Sequence, residues 1–380
     1  MEALFNYPKA PNFSVPWDEL DQAYDWVRAL KGCPQDAKNH AEGDVWIHTR
    51  MVCEELAALP GYREAPPEAQ QILFAAAVLH DVSKPECTRE EPDGRITARG
   101  HSRHGELRAR QILWRLGMPF SLREQVVTMI RYHQAPFWMI ERDDPRRSVH
   151  RMSQTTRCDW LSLLAEADAR GRICEDQQKI LDNIELFRAL CEEESCLSGP
   201  RQFPSAHSRF VYFRKEGRDP DYLAFDDTFG EVVMLSGLPG AGKDTWISQH
   251  LPDWPVVSLD DIRRERDVDP TENQGRVVQE AEEMARQHLR VKRSFVWNAT
   301  SLSRQLRAQR LGLFDSYKAR VRIVYLEVPE PVLLAQNRQR EAQVPPAAIL
   351  KMMQRWEMPD LTEAHAVDYV VRGLFDKSKR

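Results

Sequence analysis

The chain has 380 residues, enough for two domains with separate cores. Its net charge of −5 excludes a protein that is basic over its whole surface, so any nucleic-acid contact needs local patches such as Arg304, Arg307 and Arg310 or Arg338 and Arg340. The seven cysteines include no CxxC pair, which argues against a disulfide framework or a structural zinc site. The N-terminus lacks a basic start followed by an apolar core, and no run is long enough for a bilayer, so a soluble cytoplasmic protein is expected.

Residues 1–200 repeat apolar side chains at three- and four-residue spacing, which predicts helices over 45–59, 72–81, 107–116, 122–133 and 161–169. The run 72–81 reads ILFAAAVLHD and delivers an adjacent His80-Asp81 pair at its end. Around it stand His48, His101 and His104 in GHSRHGE, His133 in RYHQAP and Asp168 in AEADARGR. Any one of these alone reads as a surface or core residue. Spread over separate helices, they can converge on one or two divalent cations inside a bundle. Lys84 and Arg170 are candidates to hold a phosphate, with a solvated charge as the plain alternative.

Residues 201–229 mix Pro204, Gly217 and Asp219-Pro220 with Phe210, Tyr212 and Phe213. They read as a connection between domains, apolar enough to be partly packed. From 230 to 380 the texture becomes α/β, with strands predicted over 232–236, 256–259, 294–298 and 321–328 and helices between them. That alternation implies a mostly parallel sheet with ligands beyond the carboxyl ends of its strands.

Residues 231–245 read EVVMLSGLPGAGKDT, a strand that breaks into a glycine-rich loop. Gly237, Gly240 and Gly242 let the backbone wrap phosphate oxygens with its N–H groups, and Lys243 adds a charge for the terminal phosphates. A helix starting near Asp244 aims its positive end at the same anion. The residue after such a lysine is usually Ser or Thr, whose hydroxyl binds magnesium. Here it is Asp244, so either this carboxylate binds the ion or Thr245 takes part of the role. Asp260 and Asp261 follow the next strand, where a carboxylate can accept a proton from an attacking hydroxyl or cap the helix. Arg304, Arg307, Arg338 and Arg340 either close over phosphates or form an exposed basic face.

GLPGAGKDTW, Asp260-Asp261-Ile262-Arg263 and the Arg338/Arg340 segment resemble the kinase domain of polynucleotide 5′-hydroxyl kinases. The resemblance implies a nucleoside triphosphate with Mg²⁺, Asp260 as general base on the 5′-hydroxyl, and Arg263 on the acceptor phosphate. It implies Arg338 or Arg340 as the lid arginine. LHDVSKP resembles the defining stretch of the HD phosphohydrolase superfamily. That match implies His48, His80, Asp81 and Asp168 as a metal set, extended by His101 and His133 to a second metal, with His104 the alternative to His101 and Asp159 the weaker substitute for Asp168. Mn²⁺, Ni²⁺, Co²⁺, Fe²⁺ and Mg²⁺ are compatible.

Together the two halves resemble the bacterial bifunctional HD-Pnk family, in the same domain order over nearly the whole chain. The resemblance implies RNA or DNA ends as substrates: 5′-OH phosphorylation by one domain, removal of 2′,3′-cyclic, 2′- or 3′-phosphates by the other, and a ligase acting downstream. The competing expectations are a small-metabolite kinase fused to a nucleotidase, and an HD hydrolase gated by a nucleotide sensor.

Overall fold

The computed structural model describes residues 6–268, 274–340 and 342–372. It divides into two compact units, 1–202 and 203–380.

The first unit is helical apart from a short antiparallel hairpin, Arg89–Glu90 with Ile96–Thr97. Its main helices are α1 (Val45–Ala58), α2 (Pro67–Leu79), α3 (His101–Arg115), α4 (Phe120–Tyr132), α5 (Cys158–Arg170) and α6 (Gln177–Glu193). Asp44 caps α1 by accepting from the Ile47 N–H. Below that cap, Val45, His48, Val52 and Leu56 are buried along one face. α2 is buried from Ala69 to Leu79 except for half-buried Gln71, so it reads as the bundle's central helix and needs almost no polar face. It packs beside α1, α4 and α5. Consequently the residues that leave its C-terminal end, His80 and Asp81, emerge in the middle of the unit at 0% and 1% exposure.

The second unit opens with α7 (Ala206–Arg214), inside the stretch expected to connect the domains. Arg209 donates to the carbonyls of Leu361 and His365, and Phe210 stacks on His365 at 4.1 Å. There follow β1 (Phe229–Ser236), α8 (Lys243–His250), β2 (Val256–Ser258), α9 (Leu259–Arg266), α10 (Gly275–Arg290) and β3 (Phe295–Asn298). α11 (Arg304–Ser316), β4 (Ala319–Glu327), α12 (Glu330–Arg338), α13 (Pro346–Met353) and β5 (Ala366–Val371) complete it. The five strands form a parallel sheet in the order β2-β3-β1-β4-β5. The architecture is thus the expected helical unit followed by an α/β unit. The edge strand β5 escapes sequence reading because AVDYVV has no buried apolar run, and its Asp368 pairs with Arg322 on β4. β1 lies between β3 and β4, where the strand order reverses, so the loop after it sits at the switch point that α/β sheets offer to ligands. Among the described residues no helix is long and apolar enough to cross a membrane.

Candidate active sites

In the first unit the dispersed ligand candidates meet. His48 comes from the first turn of α1, His80 and Asp81 follow α2, His101 opens α3, His133 follows α4, and Asp168 lies near the end of α5. They form two adjoining buried groups, His48–His80–Asp168 and Asp81–His101–His133. His80, His101 and His133 each direct Nδ1 at the carbonyl three residues back, at 2.7, 2.8 and 2.7 Å. His48 Nδ1 meets the Gly171 carbonyl at 3.1 Å and Glu42 Oε1 at 2.9 Å. A neutral imidazole that donates from Nδ1 leaves a lone pair on Nε2. Those lone pairs face one another: His48 and His80 Nε2 are 3.4 Å apart, and His101 and His133 Nε2 are 3.3 Å apart. Two acceptors at that distance call for a cation or proton between them.

The carboxylates make the same demand. Both Asp81 oxygens are buried with no assigned hydrogen bond, although Lys84 Nζ and His80 Nε2 lie 2.7 and 3.1 Å from Oδ2 as ion pairs. Asp168 Oδ1 is 3.1 Å from His48 Nε2 and is gripped by Arg172, whose Nη2 reaches Oδ1 at 2.8 Å and Oδ2 at 3.0 Å. Burial pushes the His133 imidazole down to about 3, and its neighbours His101 and His80 add to the effect. Burial also lowers His101. Burial opposes the charged form of His80 too, but Asp81 and Asp168 outweigh it and raise its pKa. Neutral imidazoles such as His101 and His133 beside ionised carboxylates are the donors that a divalent cation needs, and a bound cation would displace the proton that the carboxylates favour on His80. A cleft of about 430 Å³ opens from His101, Lys84 and Arg172 to the surface.

In the second unit the glycine-rich loop has the expected form. Gly237 (φ 149°) and Gly240 (φ 83°) adopt backbone that side-chain-bearing residues avoid. A Cβ on them would lie 2.5 Å from the Leu326 carbonyl oxygen and 2.7 Å from that of Leu333. Lys243, the first residue of α8, donates to the carbonyls of Gly237 and Leu238, both at 3.1 Å. Burial pushes its ammonium down to about 8, opposed by Asp244 and reinforced by Arg340. A phosphate would reverse that balance.

Asp244 is exposed, and its Oδ1 accepts from Asn298 Nδ2 at 2.7 Å, so one oxygen is anchored at the end of β3. Thr245 is exposed on the same turn. Asp260 pairs with Arg263 one turn later and with Arg340 Nη2 at 3.3 Å. Arg263 Nε in turn donates to Gln274 at 2.6 Å.

Comparison with known proteins agrees with both halves. Residues 44–169 match the family model described as HD domain, and residues 232–359 match the one described as AAA domain. The chain joins an HD domain to a P-loop domain. The Multifunctional CCA protein of Ralstonia nicotianae is 31% identical over 170 residues, which cover 42% of this chain and 36% of that protein. The A-adding tRNA nucleotidyltransferase of Deinococcus radiodurans is 36% identical over 186 residues, covering 48% of this chain and 40% of its own length. The chain therefore matches well under half the length of these relatives. Among solved structures, a putative kinase from Chloroflexus aurantiacus aligns with TM-score 0.34 at 16% identity, over 40% of this chain and 91% of that one. A sugar kinase from Janibacter aligns with TM-score 0.29 at 17% identity, over 38% and 86%.

In the HD domain, the structure places His101 in the ligand cluster. His104 is exposed, with Nδ1 3.5 Å from Cys87 Sγ. Asp168 is in the cluster, whereas Asp159 pairs with Arg157 at the start of α5. Arg170 is taken by Glu166 on the outside of α5, so it is no phosphate ligand in this geometry. Arg172 holds the inward position instead, and an i,i+4 pairing with Asp168 is the signal that finds it. Glu42, His40 and Gln35 also escape sequence reading, because nothing local marks them. Glu42 Oε1 accepts from both His40 and His48, and Gln35 Oε1 receives Lys84 Nζ at 2.6 Å.

In the P-loop domain, Arg340 reaches Asp260, while Arg338 is exposed at the end of α12. The basic face expected from Arg304, Arg307 and Arg310 does not form. Arg307 is fully buried on Glu363, at 2.8 and 2.9 Å, and on four main-chain carbonyls. Arg304 pairs with Asp360, and Arg310 pairs with Glu282. These arginines stitch the fold through partners 28 to 56 residues away, which the local sequence does not reveal.

Proposed function

We propose that this protein heals broken nucleic-acid ends. The P-loop domain phosphorylates 5′-hydroxyl ends with a nucleoside triphosphate, and the HD domain removes 2′,3′-cyclic, 2′- or 3′-phosphates. The observation that carries the reading is the charge network around Lys243. Asp260 pairs with both Arg263 and Arg340, and Asp260 and Arg340 both act on the Lys243 ammonium. This arrangement supplies one base for an acceptor hydroxyl and separate cations for donor and acceptor phosphates. The likeness to a tRNA nucleotidyltransferase favours RNA as the nucleic acid.

In the kinase reaction, Asp260 accepts the proton of the 5′-hydroxyl as its oxygen bonds to the γ-phosphorus and the bond to the β-γ bridging oxygen breaks. Arg263 holds the acceptor's phosphate, and Arg340 with Lys243 neutralises the charge that gathers on the donor. Asp244, steadied by Asn298, would offer an oxygen to Mg²⁺ with Thr245 taking part of the role, and the ion would supply charge neutralisation for the triphosphate.

In the HD domain, His48, His80, Asp81 and Asp168 would hold one divalent cation, and His101 and His133 extend the set to a second. Such ions supply an acidified water and a clamp on phosphoryl oxygens. The chain's own part is to aim the four imidazoles through their Nδ1 contacts, with burial favouring the neutral form of His101 and His133, and to place Lys84 and Arg172 where the cleft receives a phosphate. The products, 5′-phosphate and 3′-hydroxyl, are the ends that a ligase joins.

The test uses an RNA oligonucleotide bearing a 5′-hydroxyl and a 2′,3′-cyclic phosphate, incubated with a nucleoside triphosphate, Mg²⁺ and Mn²⁺. Wild type is expected to alter both ends, Lys243→Ala only the 3′ end and Asp81→Ala only the 5′ end. If neither end changes, the polynucleotide reading fails and small-molecule phosphates become the substrates to screen.

A further inference from the structure

The cleft that leads to the metal-ligand cluster carries an aromatic side chain that the chemistry above leaves unused. Trp138 lines this cleft together with His101, Lys84 and Arg172, yet its side chain is 41% exposed. The neighbouring Phe137, also a lining residue, is 1% exposed and serves the core. Five residues after His133, Trp138 closes a short 3-10 turn, Ala135–Trp138, so the chain that positions a ligand candidate also positions the indole.

That turn is held from several sides. Phe137 is buried among Ala165, Ala169, Ile180 and Ile184, and its carbonyl accepts from Asn183 Nδ2 at 2.7 Å. The Arg172 guanidinium lies 5.0 Å over the Phe137 ring while gripping Asp168, which ties the turn to the ligand cluster. Lys179 Nζ stands 5.9 Å from the Trp138 ring and pairs with Glu141 at 3.1 Å. An indole presented on a fixed turn loses little freedom when a flat ring covers it.

The lining changes in kind along the cleft. Its buried members, Lys84, His101 and Arg172, suit a phosphate; its exposed aromatic member suits a base. A volume of about 430 Å³ falls within the range of small-molecule sites, about 300–1,000 Å³. Resting on the end-healing reading of this domain, we propose that Trp138 is the stacking platform for the terminal base of the strand whose phosphate is removed. The HD domain then recognises a nucleotide end rather than a bare phosphate ester. Stacking on an indole face is available to every base, so the platform confers preference for a base without choice among the four.

The experiment compares two RNA oligonucleotides with 2′,3′-cyclic phosphate ends, one with its terminal base and one with an abasic terminal ribose. KM and kcat are measured for the full-length wild type, Trp138→Ala and Trp138→Phe, with melting temperature as a control on folding. Wild type should favour the base-bearing end by about 5- to 150-fold in kcat/KM, the range that base–aromatic stacking spans, chiefly through KM. Trp138→Ala should lose that preference while its rate on the abasic end stays close to wild type, and Trp138→Phe should keep much of it. Equal use of both ends by wild type, or an unchanged preference in Trp138→Ala, overturns the platform. Hydrolysis of neither end by wild type overturns the end-healing reading itself, and the platform with it.

Discussion

The lone pairs that face one another inside the HD domain belong to single residues, and single substitutions test them. Asp81 contributes two buried oxygens with no assigned hydrogen bond; Lys84 and His80 approach Oδ2, while Oδ1 faces His101 at 3.5 Å, which leaves it placed to accept a metal ion. Asp81→Asn keeps the shape and removes the charge. A ligand at a hundred times its Kd stabilises a fold by about 2.7 kcal/mol. Wild type should therefore gain about that much on Mn²⁺ saturation, and Asp81→Asn should gain little, as read by thermal melts with and without metal. Lys243 gives a pH prediction of definite sign. Its pKa is pushed down to about 8, whereas anionic phosphates favour its charged form. Below pH 8 the free protein already carries the proton that nucleotide binding needs. As pH rises from about 8 towards the ordinary lysine value of 10.5, that proton must be taken up on binding. Nucleotide affinity should then weaken by up to about tenfold per pH unit. Lys243→Arg stays charged throughout, so its titrated Kd should lack this slope; an equal slope in both proteins would rule out Lys243 as the cause.

At the scale of elements, the metal-ligand candidates sit at helix ends, and the distance between α1 and α5 sets the gap between His48 and Asp168. Gly171, just past the end of α5, controls that gap. A Cβ there would lie 2.7 Å from the backbone nitrogen of Val52 on α1, and the Gly171 carbonyl meets His48 Nδ1. Gly171→Ala should push the helices apart, cost about 1–3 kcal/mol of stability and weaken Mn²⁺ binding, without affecting nucleotide binding. Isothermal titration with each ligand separates the two effects. The same elements explain how much could be read from sequence. Apolar periodicity placed α1 through α5, and the histidines and aspartates stood out because their chemistry is rare on buried helices. The glycine-rich loop was legible because each glycine has a local steric reason. Glu42 and Arg307 were not, since their partners come from other elements, and Arg172, although four residues after Asp168, lies just past the end of α5, where helical spacing is not expected to hold. His101 is the preferred reading over His104, but both lie within the first turn of α3, and packing is what decides which faces inward.

At the scale of the whole molecule, each site is built within one compact unit. The HD candidates and their supports span residues 35–172, and the loop, Asp260, Arg263 and Arg340 lie within 237–340, on either side of the division at 202 and 203. Each unit thus carries its own complete set of candidate site residues. That arrangement suits its proposed substrate, because strand cleavage that leaves a 5′-hydroxyl leaves the phosphate on the opposite end. It also makes a prediction for the intact protein. Calorimetry should resolve two unfolding transitions, one raised by Mn²⁺ and the other by a nucleoside triphosphate with Mg²⁺. At saturation near a hundred times Kd, each shift should be about 5–10 °C for units of this size. Asp81→Asn should abolish only the Mn²⁺ shift, and Lys243→Ala should diminish only the nucleotide shift. If either ligand moved both transitions together, the two sites would share a coupling free energy, and the second activity would have to be read as regulating the first.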